Sequence, residues 1–175
     1  MKKQKVAIIG GGISGLCLAR ALDKDKFEVK VFEQNSRFKP VGAGIILAIN
    51  AMNVLENLGV KEDLVDNGEV LKSANIVDKN GSTIQIMPLD KFAEKYQQTP
   101  IAIKRSLLQD SLLKDLEDVE IFLDHKLVSA QQEQQGVTVK FENQASVHCD
   151  IAIGCDGIRS ALREQIFEKP KFRDS

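Results

Sequence analysis

Apolar and polar positions along this chain alternate between two periods, and the switches between them outline its elements. Residues 5–9, KVAII, form a short β-branched run that reads as a buried strand. Glycines 10, 11, 12 and 15 follow at once. From Ser14 to about Asp23 the sequence SGLCLARALD sets Leu16, Ala19 and Leu22 on one side, the period of a helix. Residues 28–32, EVKVF, alternate as a second strand does. Together these make a β-turn-α-β unit, whose crossover is expected to be right-handed.

After a glycine-rich stretch, Gly42-Ala43-Gly44, the pattern predicts a helix at about 50–58 that stops at Gly59. Residues 73–78 and 83–87 flank Lys79-Asn80-Gly81-Ser82 and read as a hairpin. RSLLQDSLLKDL (105–116) is amphipathic, with Leu108, Leu112, Leu113 and Leu116 on one face. Strands are expected at about 119–123, 126–132, 137–142 and 146–153, turning at Gln134-Gln135-Gly136 and Glu142-Asn143-Gln144. The Gln/Glu run at 131–135 reads as a solvated hairpin end, and 160–167 as the start of a further helix. Neither a repeat nor a linker interrupts this order.

Composition narrows the partners. At 43% hydrophobic the chain can build a globular core. Its 24 Lys+Arg against 25 Asp+Glu leave a net charge of −1, without the basic surplus a nucleic-acid binder needs. One Tyr and no Trp beside eight Phe argue against a base-stacking platform. Cys17, Cys149 and Cys155 are odd in number and lack metal spacing, which disfavours a disulfide framework or zinc site; they read as small buried hydrophobes. His125 and His148 stand alone, in solvated or core-edge positions, and no metal site is expected. Lys2-Lys3-Gln4-Lys5 before an apolar run imitates a signal peptide, but four glycines break the run, and a strand leading into a helix explains it better. No stretch is long and apolar enough to span a membrane, so the expected location is cytoplasmic.

The chemistry starts at Gly10-x-Gly12-x-x-Gly15. The first glycine allows a tight turn, the second a close approach of pyrophosphate to the backbone, and the third packing of helix on strand. The helix start then offers free N–H groups and a partial positive charge. Glu33 ends the second strand, where its carboxylate suits the hydroxyls of an adenosine ribose and would repel a 2′-phosphate. NADP is therefore not expected in this first site, while NAD and FAD stay open. A P-loop fails for want of Gly-Lys-Ser/Thr, and Ser14 does not sit in a nucleophile elbow.

A second constellation lies at 151–163, IAIGCDGIRSALR. A buried strand runs into Gly154-Cys155-Asp156-Gly157, with Ser160 and Arg163 on the following turn and helix. Two readings stand: a phosphate or ribose contact, or an ordinary strand-to-helix turn capped by Asp.

GGGISG at 10–15 with Glu33, GAGIIL and NAMNVLENLG within 42–59, RSLLQDSL at 105–112 and GCDGIRSALR at 154–163 follow one another in a telling order. Over essentially its whole length the chain resembles the N-terminal part of class A FAD-dependent monooxygenases, the aromatic hydroxylases, in the salicylate-hydroxylase-like and zeaxanthin-epoxidase-like flavour. The resemblance implies an α/β, Rossmann-like FAD-binding domain of the glutathione-reductase type (GR2), a parallel sheet with a β-meander crossover, over residues 1–175. It also implies that about 71–100 are an excursion toward the substrate side.

By the same resemblance, Gly10, Gly12, Ile13, Ser14 and Gly15 surround the FAD pyrophosphate and Glu33 binds the adenosine ribose. Gly44 lies in the second motif. Arg105 reaches toward the FAD phosphates and ribityl region, and residues near Leu127 touch adenine through their backbone. Asp156 and Gly157 match an Asp-Gly motif implicated in FAD and NAD(P)H binding, and Arg163 assists the phosphates of the nicotinamide cofactor. No side chain is expected to be catalytic. NAD(P)H (the NADP form included) as co-substrate would reduce the flavin, O₂ would add to give a peroxyflavin, and oxygen would pass to a small aromatic or polycyclic substrate.

The family's third FAD motif, a Gly-Asp beside the flavin ring, has no counterpart after residue 163, and KPKFRDS (169–175) resembles the family's lead into the substrate-side sheet. The domain is therefore expected to be C-terminally incomplete and its remaining substrate domain absent. The alternative function is a catalytically incompetent dinucleotide-binding fragment, from a truncated or split gene, that binds adenine nucleotide weakly, needs a complementary C-terminal polypeptide, or is a degraded gene product. An NAD dehydrogenase leaves Arg105 and the Asp-Gly block unexplained.

Overall fold

A computed structural model describes residues 2–38 and 43–167; Gly42 and the stretch 169–175, read above, lie outside them. In chain order the first elements are β1 (Gln4–Ile9), α1 (Ile13–Ala21), β2 (Phe27–Phe32), β3 (Gly44–Leu47), α2 (Ile49–Asn57) and α3 (Lys61–Asn67). Then come β4 (Glu69–Val70), β5 (Ser73–Val77), β6 (Thr83–Pro88), α4 (Leu89–Tyr96), β7 (Ile101–Lys104) and α5 (Arg105–Leu113). The last are β8 (Glu120–Phe122), β9 (Leu127–Gln132), β10 (Val137–Phe141), β11 (Ser146–Cys149), β12 (Ile151–Gly154) and α6 (Ala161–Ile166). They fall into two compact units, one made of the described residues up to Phe38 with those from Asp115 onward, the other of those between.

The first unit is built on a parallel sheet ordered β12-β1-β2-β8. A parallel strand is covered on both faces, so its sequence is apolar throughout rather than alternating. Val6, Ala7, Ile8 and Ile9 of β1 accordingly are all buried. α1 buries Gly15, Leu16 and Ala19. A Cβ on Gly15 would come within 3.3 Å of the Ile8 side chain, which places α1 on the Ile8 face. Ala7, Ile9 and Phe32 belong instead to a cluster with Leu127, Val139, Phe141, Cys149 and Leu162, which seats the antiparallel meander β9-β10-β11 on the opposite face. Phe32 is the keystone of that cluster. It stacks on Phe141 at 4.7 Å and on Phe122 at 5.1 Å between ring centroids.

The strand expected over 146–153 is two strands in two sheets. Cys149 pairs with Val137 in the meander, and Ile151 pairs with Val6 in the parallel sheet. Asp150 makes the corner. Its N–H donates to the Lys5 carbonyl at 2.9 Å, and its carboxylate accepts the Lys5 N–H at 2.6 Å. Of the three cysteines only Cys149 is buried; all three are free thiols, pushed above the usual thiol range chiefly by burial.

The second unit packs α2, α3 and α5 with a small antiparallel sheet, β3-β7-β4, around Met52, Leu64, Ile101, Leu108 and Leu112. β3, α3, β4, α4 and β7 are additions to the sequence reading. The helix expected over 105–116 stops at Leu113, because Lys114 turns to an extended conformation and Asp115 takes a positive φ of 54°. The expected hairpin is present as β5 and β6. Asp78 closes its turn by accepting the N–H groups of Asn80 and Ser82, each at 2.8 Å, and Gly81 supplies the positive φ.

Candidate functional site

The candidate residues of the first unit converge where the parallel strands end. β12 runs beside β1, with Gly154 level with Ile9. The Cys155 N–H donates to the Ile9 carbonyl at 2.7 Å, so the loops leaving the two strands touch. Gly10, at φ 110°, has no room for a side chain: a Cβ there would lie 2.4 Å from the Cys155 carbonyl oxygen and 3.0 Å from the Asp156 Cα. A Cβ on Gly15 would lie 1.9 Å from the Gly10 carbonyl oxygen, so this glycine is what lets the helix start close against the loop. Sequence order cannot show that the first and second constellations meet. The parallel register of β1 with β12 brings them together.

The start of α1 adjoins this cradle. Gly12 is the N-cap, no side chain caps the helix, and no acid lies in its first turn, to which Ile13, Ser14 and Gly15 belong. Leu16 is the first residue whose N–H closes a helical bond, to the Gly12 carbonyl at 3.0 Å. The amides ahead of it carry the partial positive charge of the helix end, the usual seat of a phosphate.

Glu33 follows β2 and is 8% exposed. One carboxylate oxygen, Oε2, accepts the Gly11 N–H at 2.8 Å. The other, Oε1, accepts the backbone N–H of Asn35 at 2.9 Å and a proton of its side-chain amide. An ionised carboxylate has about four acceptor positions, so about one is left, on Oε2. The sequence points this carboxylate at ribose hydroxyls; in the structure most of its acceptor capacity fastens the glycine loop to the loop after β2. Phe38 closes the same loop, since a Cβ on Gly11 would stand 3.0 Å from its ring.

Asp156 takes up the capping role. Its Oδ2 accepts the Leu162 N–H at 3.1 Å, while Ser160 Oγ accepts the Arg163 N–H at 2.9 Å, so the start of α6 is doubly capped. Its Oδ1 is buried without a partner among the described residues, as is Arg163 Nε. The Arg163 guanidinium turns back to its own loop, where Nη2 donates to the Ile158 carbonyl at 2.7 Å. Gly157 is exposed, with φ 83° and open space about it. Leu127 opens β9 and is buried in the core cluster.

Gly44 and Arg105 belong to the second unit and lie together there. Gly44 starts β3 opposite Lys104, and the Arg105 N–H donates to the Ala43 carbonyl at 3.4 Å. His125, outside the site, sits 5.0 Å from the Phe141 ring and 5.6 Å from Phe32, the core-edge role expected of it. Among the described residues no group of acids, histidines and cysteines could hold a metal, and no helix is long and apolar enough to cross a membrane.

A parallel strand ending in a glycine cradle, a helix start open to anions and an acid closing the next strand define a Rossmann-like dinucleotide-binding domain. Residues 3–173 match the family model described as FAD binding domain, and the chain belongs to that family. It is 33% identical over 170 residues to the aurachin C monooxygenase/isomerase of Stigmatella aurantiaca, covering 97% of this chain and 44% of that protein. It is 31% identical over 172 residues to the FAD-dependent urate hydroxylase of Mycolicibacterium vanbaalenii, with the same two coverages. Among solved structures, Klebsiella pneumoniae HpxO complexed with FAD and uric acid matches at a TM-score of 0.81 and 26% identity, over 93% of this chain and 41% of that one. The relatives are FAD-dependent monooxygenases, and this chain spans less than half the length of the curated ones it matches.

Proposed function

We propose that this chain is the FAD-holding part of an NAD(P)H-dependent flavoprotein monooxygenase that hydroxylates a small aromatic or polycyclic molecule. The observation that carries this reading is the seating of Gly10 against Cys155 and Asp156, which joins the two family motifs into one cradle. The residues fit an FAD. Gly10, Gly12, Ile13, Ser14 and Gly15 present backbone N–H groups and little bulk to its pyrophosphate. Glu33 offers its one remaining acceptor position to the adenosine ribose, and the backbone at Leu127 lies toward the adenine. Gly44 and Arg105 serve the phosphate and ribityl side, Arg105 through a forked cation suited to phosphate oxygens. Asp156 and Gly157 contact both nucleotides, and Arg163 exchanges its internal bond to the Ile158 carbonyl for a phosphate of NAD(P)H.

FAD, when bound, supplies the electron transfer from NAD(P)H and the activation of O₂ that hydroxylation needs. This chain's own part is to bind and orient it. Hydroxylation itself belongs to the polypeptide that also carries the other half of the relatives' length, within one chain or as a complementary partner. The apolar hairpin side chains Ile84 and Ile86, 68% and 60% exposed, support such a covering partner.

The test is titration of the purified chain with FAD, with ADP as competitor, followed by assay of NADPH oxidation with and without aromatic substrates. Weak, saturable FAD binding displaced by ADP, and no substrate-stimulated oxidation by the chain alone, are the expected results. Absence of FAD binding that ADP displaces overturns the reading of the cradle. Turnover by the isolated chain overturns the assignment of catalysis to the larger polypeptide.

A further inference from the structure

We infer that Asn35 is a positioning residue for the adenosine ribose: it holds the Glu33 carboxylate in the one orientation that leaves an acceptor position open. The inference rests on the FAD reading above and adds to it a residue that no motif singles out. Asn35 is exposed and two positions beyond Glu33, yet it spends both its backbone N–H and its side-chain amide on the same oxygen, Oε1. Oε2 accepts the Gly11 N–H at 2.8 Å. The carboxylate is thus a bridge, with the loop after β1 on one oxygen and the loop after β2 on the other. The far side of Asn35 is anchored too, since its carbonyl accepts the Asp124 N–H at 3.0 Å, and the Glu33 carbonyl accepts the His125 N–H at 2.8 Å.

The consequence is chemical. With Oε1 saturated from within the chain, the acceptor position left to a ligand is on Oε2, beside the glycine loop that takes the pyrophosphate. A ribose hydroxyl fits there as a single charge-assisted donor. Without the Asn35 amide, Oε1 lacks one donor and the carboxylate is free to turn. The hydroxyls then lose their fixed partner, while the pyrophosphate cradle, made of backbone and glycine, stays as it was.

The experiment measures dissociation constants of the 175-residue chain for ADP, for 2′,3′-dideoxy-ADP and for inorganic pyrophosphate, in wild type, Asn35→Ala and Asn35→Asp. Wild type is expected to prefer ADP over the dideoxy analogue about tenfold, the worth of one hydrogen bond to a charged group. Asn35→Ala should bring that ratio close to one, and Asn35→Asp, which sets a second carboxylate against Glu33, should do so fully. Pyrophosphate binding stays unchanged in both. A variant that keeps the wild-type ratio overturns the inference, and so do two variants that both unfold, since Asn35 would then serve folding. A wild-type chain that binds ADP with no preference over the dideoxy analogue overturns it while leaving the cradle reading intact. A wild-type chain that does not bind ADP overturns the cradle reading itself, and the inference with it.

Discussion

Gly10 and Cys155 stand 145 positions apart in sequence, and a single added methyl on the first would come within 2.4 Å of the carbonyl oxygen of the second. The contact is backbone against backbone, so no rotamer change relieves it. It also locks the loop after β1 to the loop after β12, two of the places proposed to hold the cofactor.

Gly10→Ala should therefore cost about 3 kcal/mol or more, from the collision and the positive φ together. Gly157→Ala is the control, because it shares the positive φ, 83°, but has nothing within 4 Å of its Cβ position. It should cost only about 1–2 kcal/mol of backbone strain. Urea denaturation of both variants checks the difference; equal losses would mean that the loop contact does not matter.

Much of the first unit was legible in the sequence because its strands are short apolar runs punctuated by glycine. What could not be read was partnership. The run 146–153 keeps one alternation through Asp150, although the hydrogen-bonding partner changes there from Val137's strand to Val6's. β3 and β7 escaped because each is four residues long and they meet across more than fifty residues of intervening chain. At the site, Glu33 was visible as an acid at a strand end, but its commitment to Gly11 and Asn35 depends on how two loops meet. The double duty of Asp156, cap and orphaned oxygen, was equally a matter of geometry.

Asp63 gives the second unit an acid-sensitive tie. Its carboxylate accepts the Ser111 hydroxyl and pairs with Lys114 at 3.0 Å, joining α3 to the end of α5. The Ser111 hydrogen bond first, and Lys114 after it, hold its carboxyl below the usual carboxylate range. A carboxyl depressed in the folded state contributes stability above its unfolded value of about 3.9, and loses it as pH falls through the folded value. Asp63→Asn should cost about 1 kcal/mol at neutral pH and flatten the fall of stability below about pH 4. Thermal melts of wild type and variant across that range make the comparison; parallel curves would remove Asp63 from the account.

The hairpin leaves apolar groups in water on a unit whose α4 buries none of its residues. Ile84 and Ile86 of β6 are both largely exposed. Replacing both by lysine should shift folding stability by no more than about 0.5 kcal/mol each, since neither side chain is buried. It should sharply reduce self-association at high concentration, because charges block edge and face pairing of strands. Light scattering against concentration is the measurement, and undiminished association would place the sticky surface elsewhere.

Phe32 separates what the core does from what the site does. Its ring, 1% exposed, is stacked between Phe122 and Phe141, while its carbonyl accepts the Gly10 N–H at 2.8 Å at the entrance to the cradle. Phe32→Ala empties the centre of the cluster and should cost about 3–5 kcal/mol. Phe32→Leu keeps most of the volume and should cost about 1–2 kcal/mol through lost stacking and imperfect fill. The carbonyl, however, is placed by the strands: Phe32 is level with Ile9 on one side and with Phe122 on the other. A leucine leaves that ladder untouched. Phe32→Leu should accordingly lower the unfolding midpoint yet bind ADP within about twofold of wild type, a difference of well under 1 kcal/mol. If ADP affinity instead falls in step with stability, the ring and not the strand ladder sets the position of the Gly10 loop.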